Sequence, residues 1–194
     1  PVLCAEGYLF AMERRGYLQA GAFVPEVVLE HPEVVSQLHR EFIRAGSDVV
    51  QAFTYYGHRE KLRIIGKENL LEPLQKNALQ IAKDARKEFK DLNLLVCGDV
   101  ANTNIYDPND KKSDLECQKM FEEQVAWAKE AGVDFVVAET ITWLGEMKIA
   151  LKTIKDAGLI AVCNFSIKRD NTTRDGYTPG DACKILEDNG ADVV

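Results

Sequence analysis

The stretch Ala45-Gly46-Ser47-Asp48-Val49-Val50 recurs as Ala131-Gly132-Val133-Asp134-Phe135-Val136 and again as Asn189-Gly190-Ala191-Asp192-Val193-Val194. A looser copy stands at Ala157-Gly158-Leu159-Ile160-Ala161. Each copy reads as a helix end followed by a buried strand. The glycine suits the left-handed position that closes a helix, and an unbroken apolar run is what a strand covered on both faces requires. Helical spacing precedes the copies. Leu29, Val34, Val35, Leu38, Phe42 and Ile43 repeat at about 3.6 residues, as do Leu71, Leu74, Ala78, Ile81, Ala82 and Ala85, and then Phe121, Val125 and Ala128. Asp114 or Ser113 is expected to cap the third of these helices, and Thr178-Pro179 to open a later one. Pro32 and Pro73 sit early in their helices, where a missing N–H costs little.

The strands expected are residues 2–5, 48–54, 94–100, 134–140 and 159–167, with a sixth beginning at Asp192. Strand and helix thus alternate about five times, which leads to either an open doubly wound sheet or a closed (β/α)8 TIM barrel. No Gly-x-Gly-x-x-Gly or Walker loop follows any strand, which counts against nucleotide binding. A closed barrel needs roughly 250 residues, so the expectation is an incomplete (β/α)8 barrel: one partial domain over residues 1–194, about five units plus the start of strand six. The absence of an initiator Met and the stop at Val193-Val194 agree with a fragment of a longer chain.

Composition bounds the partners. The chain is 46% hydrophobic and 28% charged, with 31 acidic against 24 basic residues and a net charge of -7. Nothing supplies the positive field that nucleic acid or an anionic membrane usually needs. No apolar run approaches the roughly 18 residues of a membrane span. Five scattered cysteines without a Cys-x-x-Cys pair fit a reducing cytoplasm better than a secreted disulfide framework.

In barrels of this kind the chemistry sits at the C-terminal ends of the strands. The residues expected there are Glu6 and Gly7, then Thr54, Tyr55 and Tyr56, then Asp99, Asn102 and Asn104, then Glu139 and Thr140, and finally Asn164 and Ser166. Glu139 is the sharpest of these, because Phe135-Val136-Val137-Ala138 leads straight into it and an acid ending an apolar strand must find a cation or donors. It would bind a substrate ammonium, act as a general base, or simply pair with a neighbouring Lys or Arg. Tyr8, Phe23, Phe53, Tyr55 and Tyr56 either wall a pocket for an onium cation or pack a long loop. His31 and His39 are expected on a helix surface, and His58 in a loop. Cys4, Cys97 and Cys163 lie on odd-numbered strands; core packing is favoured over zinc binding for all three.

One resemblance goes further than periodicity. Glu30-His31-Pro32-Glu33-Val34-Val35-Ser36-Gln37-Leu38-His39-Arg40-Glu41-Phe42, continuing through Arg44-Ala45-Gly46-Ser47-Asp48 to Phe53-Thr54-Tyr55-Tyr56, resembles the betaine homocysteine methyltransferases. Glu13-Arg14-Arg15-Gly16-Tyr17 and Ala138-Glu139 fit the same family, and the likeness runs over nearly the whole chain. It implies a homocysteine-binding barrel, zinc dependence, and methyl transfer from betaine or a related onium donor to homocysteine, giving methionine. By the same likeness Glu139 would hold the substrate amino group, Gly7 would be the glycine of the first-strand loop, and Tyr56 would belong to the donor pocket. Phe23 stands where the family has a tryptophan. The family's Asp-Gly-Gly after strand one is here Ala5-Glu6-Gly7, with the acid one residue late. The family's three zinc cysteines, in a Gly-x-Asn-Cys after strand six and a later Cys-Cys pair, would fall after Val194. A homo-oligomer is expected for the full-length protein. Two other readings stand beside this one: a non-catalytic module that docks a partner through an open sheet edge, and a barrel enzyme using Asp99 and Glu139 as acid and base.

Overall fold

The computed structural model describes residues 2–5, 7–18 and 24–194. Among these, four parallel strands form one sheet in the order β1 (Val49–Gln51), β2 (Leu95–Ala101), β3 (Phe135–Ile141) and β4 (Ala161–Phe165). The helices are α1 (Tyr8–Arg14), α2 (Val27–Glu30), α3 (Pro32–Arg44), α4 (Arg59–Ile64), α5 (Leu71–Glu88), α6 (Lys111–Ala131), α7 (Leu144–Asp156) and α8 (Pro179–Asp188). Spatial order follows chain order without reversal, which is barrel winding; a doubly wound sheet would switch direction at its middle. The sheet is an open arc. Residues 2–5 and the segment from Asp192 extend it through single bridges, Cys4 to Val49 and Val162 to Val193, instead of full strands.

Alternation along the strands separates two layers. Val50, Ala52, Val96, Val100, Val136, Ala138, Ala161 and Cys163 pack outward against residues of α3, α5, α6, α7 and α8. Val49, Cys97, Phe135 and Val137 face the inside of the arc. Helices therefore cover one face, as a barrel requires. Gly98 lets α6 come close: a Cβ there would lie 2.9 Å from Cβ of Ala128.

The repeated Gly-x-Asp has a mechanical meaning that its pattern did not reveal. Gly46, Gly132 and Gly190 all have positive φ, as expected of helix-closing glycines. Each aspartate then binds the backbone of the preceding strand: Asp48 Oδ2 accepts from Leu3 N (2.8 Å), Asp134 Oδ2 from Val96 N (2.7 Å) and Asp192 Oδ2 from Ala161 N (2.8 Å). A carboxylate so placed satisfies an N–H at the start of the strand and ties each new strand to the one before it. The looser copy, with Ile160 in that place, has no such tie to make.

Several local expectations shift. β1 stops at Gln51 instead of Thr54, because the chain turns on a Thr54 N to Ala52 O bond and the Thr54 hydroxyl donates to Asp99 O (3.0 Å). β4 ends at Phe165, short of residue 167. Asp110 caps α6, its side chain accepting from Lys112 N, while Ser113 is spent on the backbone oxygens of Asp107 and Asp110. Thr178 caps α8 as expected, accepting from Asp181 N. His39 is fully buried instead of lying on the surface, since it continues the apolar stripe of α3 and turns toward α1. No helix among the described residues is long and apolar enough to cross a membrane.

Candidate functional site

A cavity of about 540 Å³ opens at the C-terminal ends of the strands, lined by Gly7, Tyr8, Gln51, Phe53, Tyr55 and Glu139, among others. Four of the expected site residues, Gly7, Tyr8, Tyr55 and Glu139, thus come together. Glu6 and Phe23 lie outside the described residues. Gly7 takes φ 80°, a left-handed conformation that favours glycine, and its carbonyl accepts from Ala11 N as α1 begins.

Glu139 owes its aim to an irregularity in β3. The register against β4 slips between Glu139 and Ile141, and Thr140 stands at φ 59°, which a β-branched residue rarely adopts. The bulge turns Glu139 and Thr140 together toward the cavity, both only partly buried. Tyr56 (φ 58°) and Asn104 (φ 67°) carry the same strained geometry just past β1 and β2. Such outliers collect where surrounding structure over-determines a site. Gln51 Nε2 donates to Glu139 Oε1 at 2.6 Å, joining β1 to β3 across the intervening β2.

Below that bond sits Asp99 of β2, only 3% exposed, with neither carboxyl oxygen making a hydrogen bond. Burial, and after it the neighbouring Glu139, hold its carboxyl well above the usual carboxylate range. Two acids in one site cannot easily both ionise. Gln51 and the placement of Asp99 were legible only as polar interruptions of apolar strands.

The aromatic residues divide into two groups. Tyr8 is buried against Phe42 and Phe53 and hydrogen bonds to Nδ1 of His39 (3.0 Å), so it offers the cavity a ring edge and no free hydroxyl. Tyr55 is half-buried; burial, then its contact with Tyr56, pushes its phenol up. Tyr56 packs on Tyr55 with ring centroids 4.2 Å apart, but its own face carries the Lys61 ammonium at 3.9 Å. Tyr56 therefore binds a cation in this structure, and the cation is internal. His58 is not a free loop residue: it caps α4 by accepting from Lys61 N and is nearly fully buried, which takes its pKa down to about 4.

The cysteines do not converge. Cys97 faces the inside of the arc, where burial, and next the neighbouring Asp99 carboxyl, raise its thiol well above the ordinary range. Cys163 faces the helices, its pKa pushed up to about 12 by burial. Cys4 is exposed, so core packing holds for Cys97 and Cys163 but not for it. Among the described residues no group of three or more His, Cys, Asp or Glu side chains is arranged to hold a metal ion. They do not fit a zinc site.

A family profile described as homocysteine S-methyltransferase matches residues 9–194. The chain belongs to the homocysteine S-methyltransferase family. Within that family it is 35% identical over 189 residues to betaine–homocysteine S-methyltransferase 1 of Sus scrofa, covering 97% of this chain and 67% of that protein. It is 36% identical to the protein of the same name from Danio rerio, covering 97% and 46%. The chain spans about half the length of most of the curated relatives it matches. Among solved structures, the homocysteine methyltransferase MmuM from Escherichia coli in its metallated form superposes with a TM-score of 0.81 at 21% identity, covering 97% of this chain and 71% of that one. The apo form of the same protein gives 0.73. That likeness establishes the barrel-type fold of this homocysteine S-methyltransferase family member.

Proposed function

We propose that the full-length protein carrying this chain transfers a methyl group from betaine or a related onium donor to the sulfur of homocysteine, giving methionine. The observation that carries this reading is Glu139, a carboxylate aimed by a strained bulge into an aromatic-walled cavity with room for an amino acid and a small donor beside it. Its partner Gln51 donates an N–H to it, as a substrate ammonium would. The similarity to betaine–homocysteine S-methyltransferases supports the choice of donor class.

The chemistry sets what these residues must do. The sulfur attacks the methyl carbon in line; an S–C bond forms, the N–C or S–C bond to the donor breaks, and its electron pair stays on the leaving group. No acid or base need touch the methyl. A thiolate and an onium neutralise each other along this path, so a site that excludes water favours the transition state over the separated charges. Glu139 fixes the amino acid by its ammonium, Gly7 lets the first loop approach it closely, and the rings of Tyr8, Phe53 and Tyr55 keep water out. Zinc, where the protein uses it, would take ligands from outside the described residues. The acid and base reading of Asp99 with Glu139 is weakened by the complete enclosure of both Asp99 oxygens. The scattered cysteines, without a Cys-x-x-Cys pair, support a cytoplasmic location.

The test is methionine formation by the full-length protein supplied with homocysteine and betaine. Replacing Glu139→Gln removes one charge-assisted hydrogen bond, so homocysteine should bind roughly ten- to a hundredfold more weakly, with zinc content unchanged. Unaltered homocysteine affinity would remove Glu139 from this role.

A further inference from the structure

The geometry points to a built-in placeholder: Gln51 occupies Glu139 until a substrate ammonium displaces it, and then turns to Asp99, which gives up its proton. This inference rests on the reading of the cavity as an amino-acid site. Three observations carry it. The Gln51 to Glu139 bond at 2.6 Å spans two strands that are not neighbours, so it crosses directly over β2. Asp99 projects from β2 on that same inward face, as its register opposite Val137 requires. Its two oxygens are buried without a hydrogen bond, a state that native proteins rarely leave unexplained.

Among the described residues, the groups named around Asp99 bring it no counter-charge. Glu139 faces it from β3 and Gln51 from β1, Cys97 stands two residues back on its own strand, and Glu139 and Cys97 in turn act on the phenols of Tyr55 and Tyr8 respectively. From β4 the neighbour across β3 is Val162, which carries no charge. None of these is a cation. With the Gln51 amide given to Glu139 and reaching Asp99 only as the smallest of its influences, an Asp99 carboxylate would chiefly meet burial and the charge of Glu139, and the neutral acid is the favoured form. An arriving ammonium changes both terms. It offsets the charge of Glu139, and it releases the Gln51 amide to donate to Asp99. The Asp99 O–H bond then breaks, its electron pair stays on the carboxylate, and the proton passes to bulk buffer. The cation is thereby held by Glu139 with a second, enclosed carboxylate ionised behind it, where the empty site kept only one ionised. Asp99 and Gln51 are positioning residues here; Glu139 makes the contact.

The probe is L-methionine, which has the amino-acid group but no thiol to lose a proton, and whose ammonium stays charged over roughly pH 5 to 7.5. Calorimetric titration into the full-length protein, in buffers of different ionisation enthalpy, counts protons directly. The expected result is release of up to one proton per methionine bound, with affinity rising by up to tenfold per pH unit in the same window. Asp99→Asn should abolish the release and flatten the profile while methionine still binds. Binding by the unaltered protein without proton release would overturn the inference and leave the amino-acid site standing, a result that does not depend on how any variant folds. Equal release from Asp99→Asn would overturn it as well. If neither methionine nor homocysteine binds, the amino-acid reading itself falls, and the placeholder with it.

Discussion

Acid should loosen this protein through His39. The ring is fully buried, its Nδ1 shares a hydrogen bond with the Tyr8 hydroxyl, and its Nε2 has no hydrogen-bond partner. Burial, with a smaller contribution from Arg40, lowers its pKa from 6.5 to about 3. The sign follows from proton counting. Between the two values the unfolded chain carries a proton on His39 that the folded one refuses, so stability is lost as pH falls from about 6.5 toward 3. One unit of pKa difference is worth about 1.4 kcal/mol. From pH 7 to pH 5 the unfolded state therefore gains about 2 kcal/mol from this one residue, and His58, lowered to about 4, adds a similar amount. Asp99 works against them, since its raised pKa makes the fold firmer toward acid and weaker as pH rises. The measurement is thus a difference between proteins. Urea unfolding of the unaltered protein and of His39→Gln, which can still accept from Tyr8, is followed at pH 7 and pH 5. At pH 7 the variant should be the less stable, through imperfect packing. At pH 5 that gap should narrow by about 2 kcal/mol. A gap that stays constant within about 0.5 kcal/mol would mean that His39 titrates freely, and the burial argument would fail.

Other expectations concern the donor face and the packing of the sheet. Tyr56→Ala should harm use of the cationic donor more than binding of homocysteine, as read from separate KM values; an equal loss of both would point to general damage. Lys61→Met, which removes the ammonium 3.9 Å above the Tyr56 ring, should lower the donor KM, and an unchanged KM would place the donor elsewhere. Gly98→Ala should cost about 1–3 kcal/mol in urea unfolding, because the new methyl meets Ala128 at 2.9 Å, and Ala128→Gly in the same chain should recover most of it.

Much of the architecture was written locally. The Gly-x-Asp repeat and the 3.6-residue stripes located the four strands to within a few residues, since helix closure and two-sided burial depend on near neighbours in the chain. Thr178 and Pro32 marked their helix starts for the same reason. What misled was context. His39 follows Val35 by four residues and Leu38 by one, a spacing that already puts it on the buried stripe, yet its polarity argued for the surface. Capping of α6 moved a few residues, to Asp110, because the loop before it uses Ser113 to hold Asp107.

The sequence by itself determined the alternation of strand and helix, the family, and the acid that ends β3, all of which reside in patterns read along the chain. Only the tertiary structure decided which polar groups meet. Gln51 and Glu139 are 88 residues apart, and nothing local says that a bulge at Thr140 will bring them together over Asp99. Nor does the repeat announce that its aspartates lace each strand to the one before. Those contacts come from parallel strand order and from the alternation of faces, which exist only once the sheet has formed.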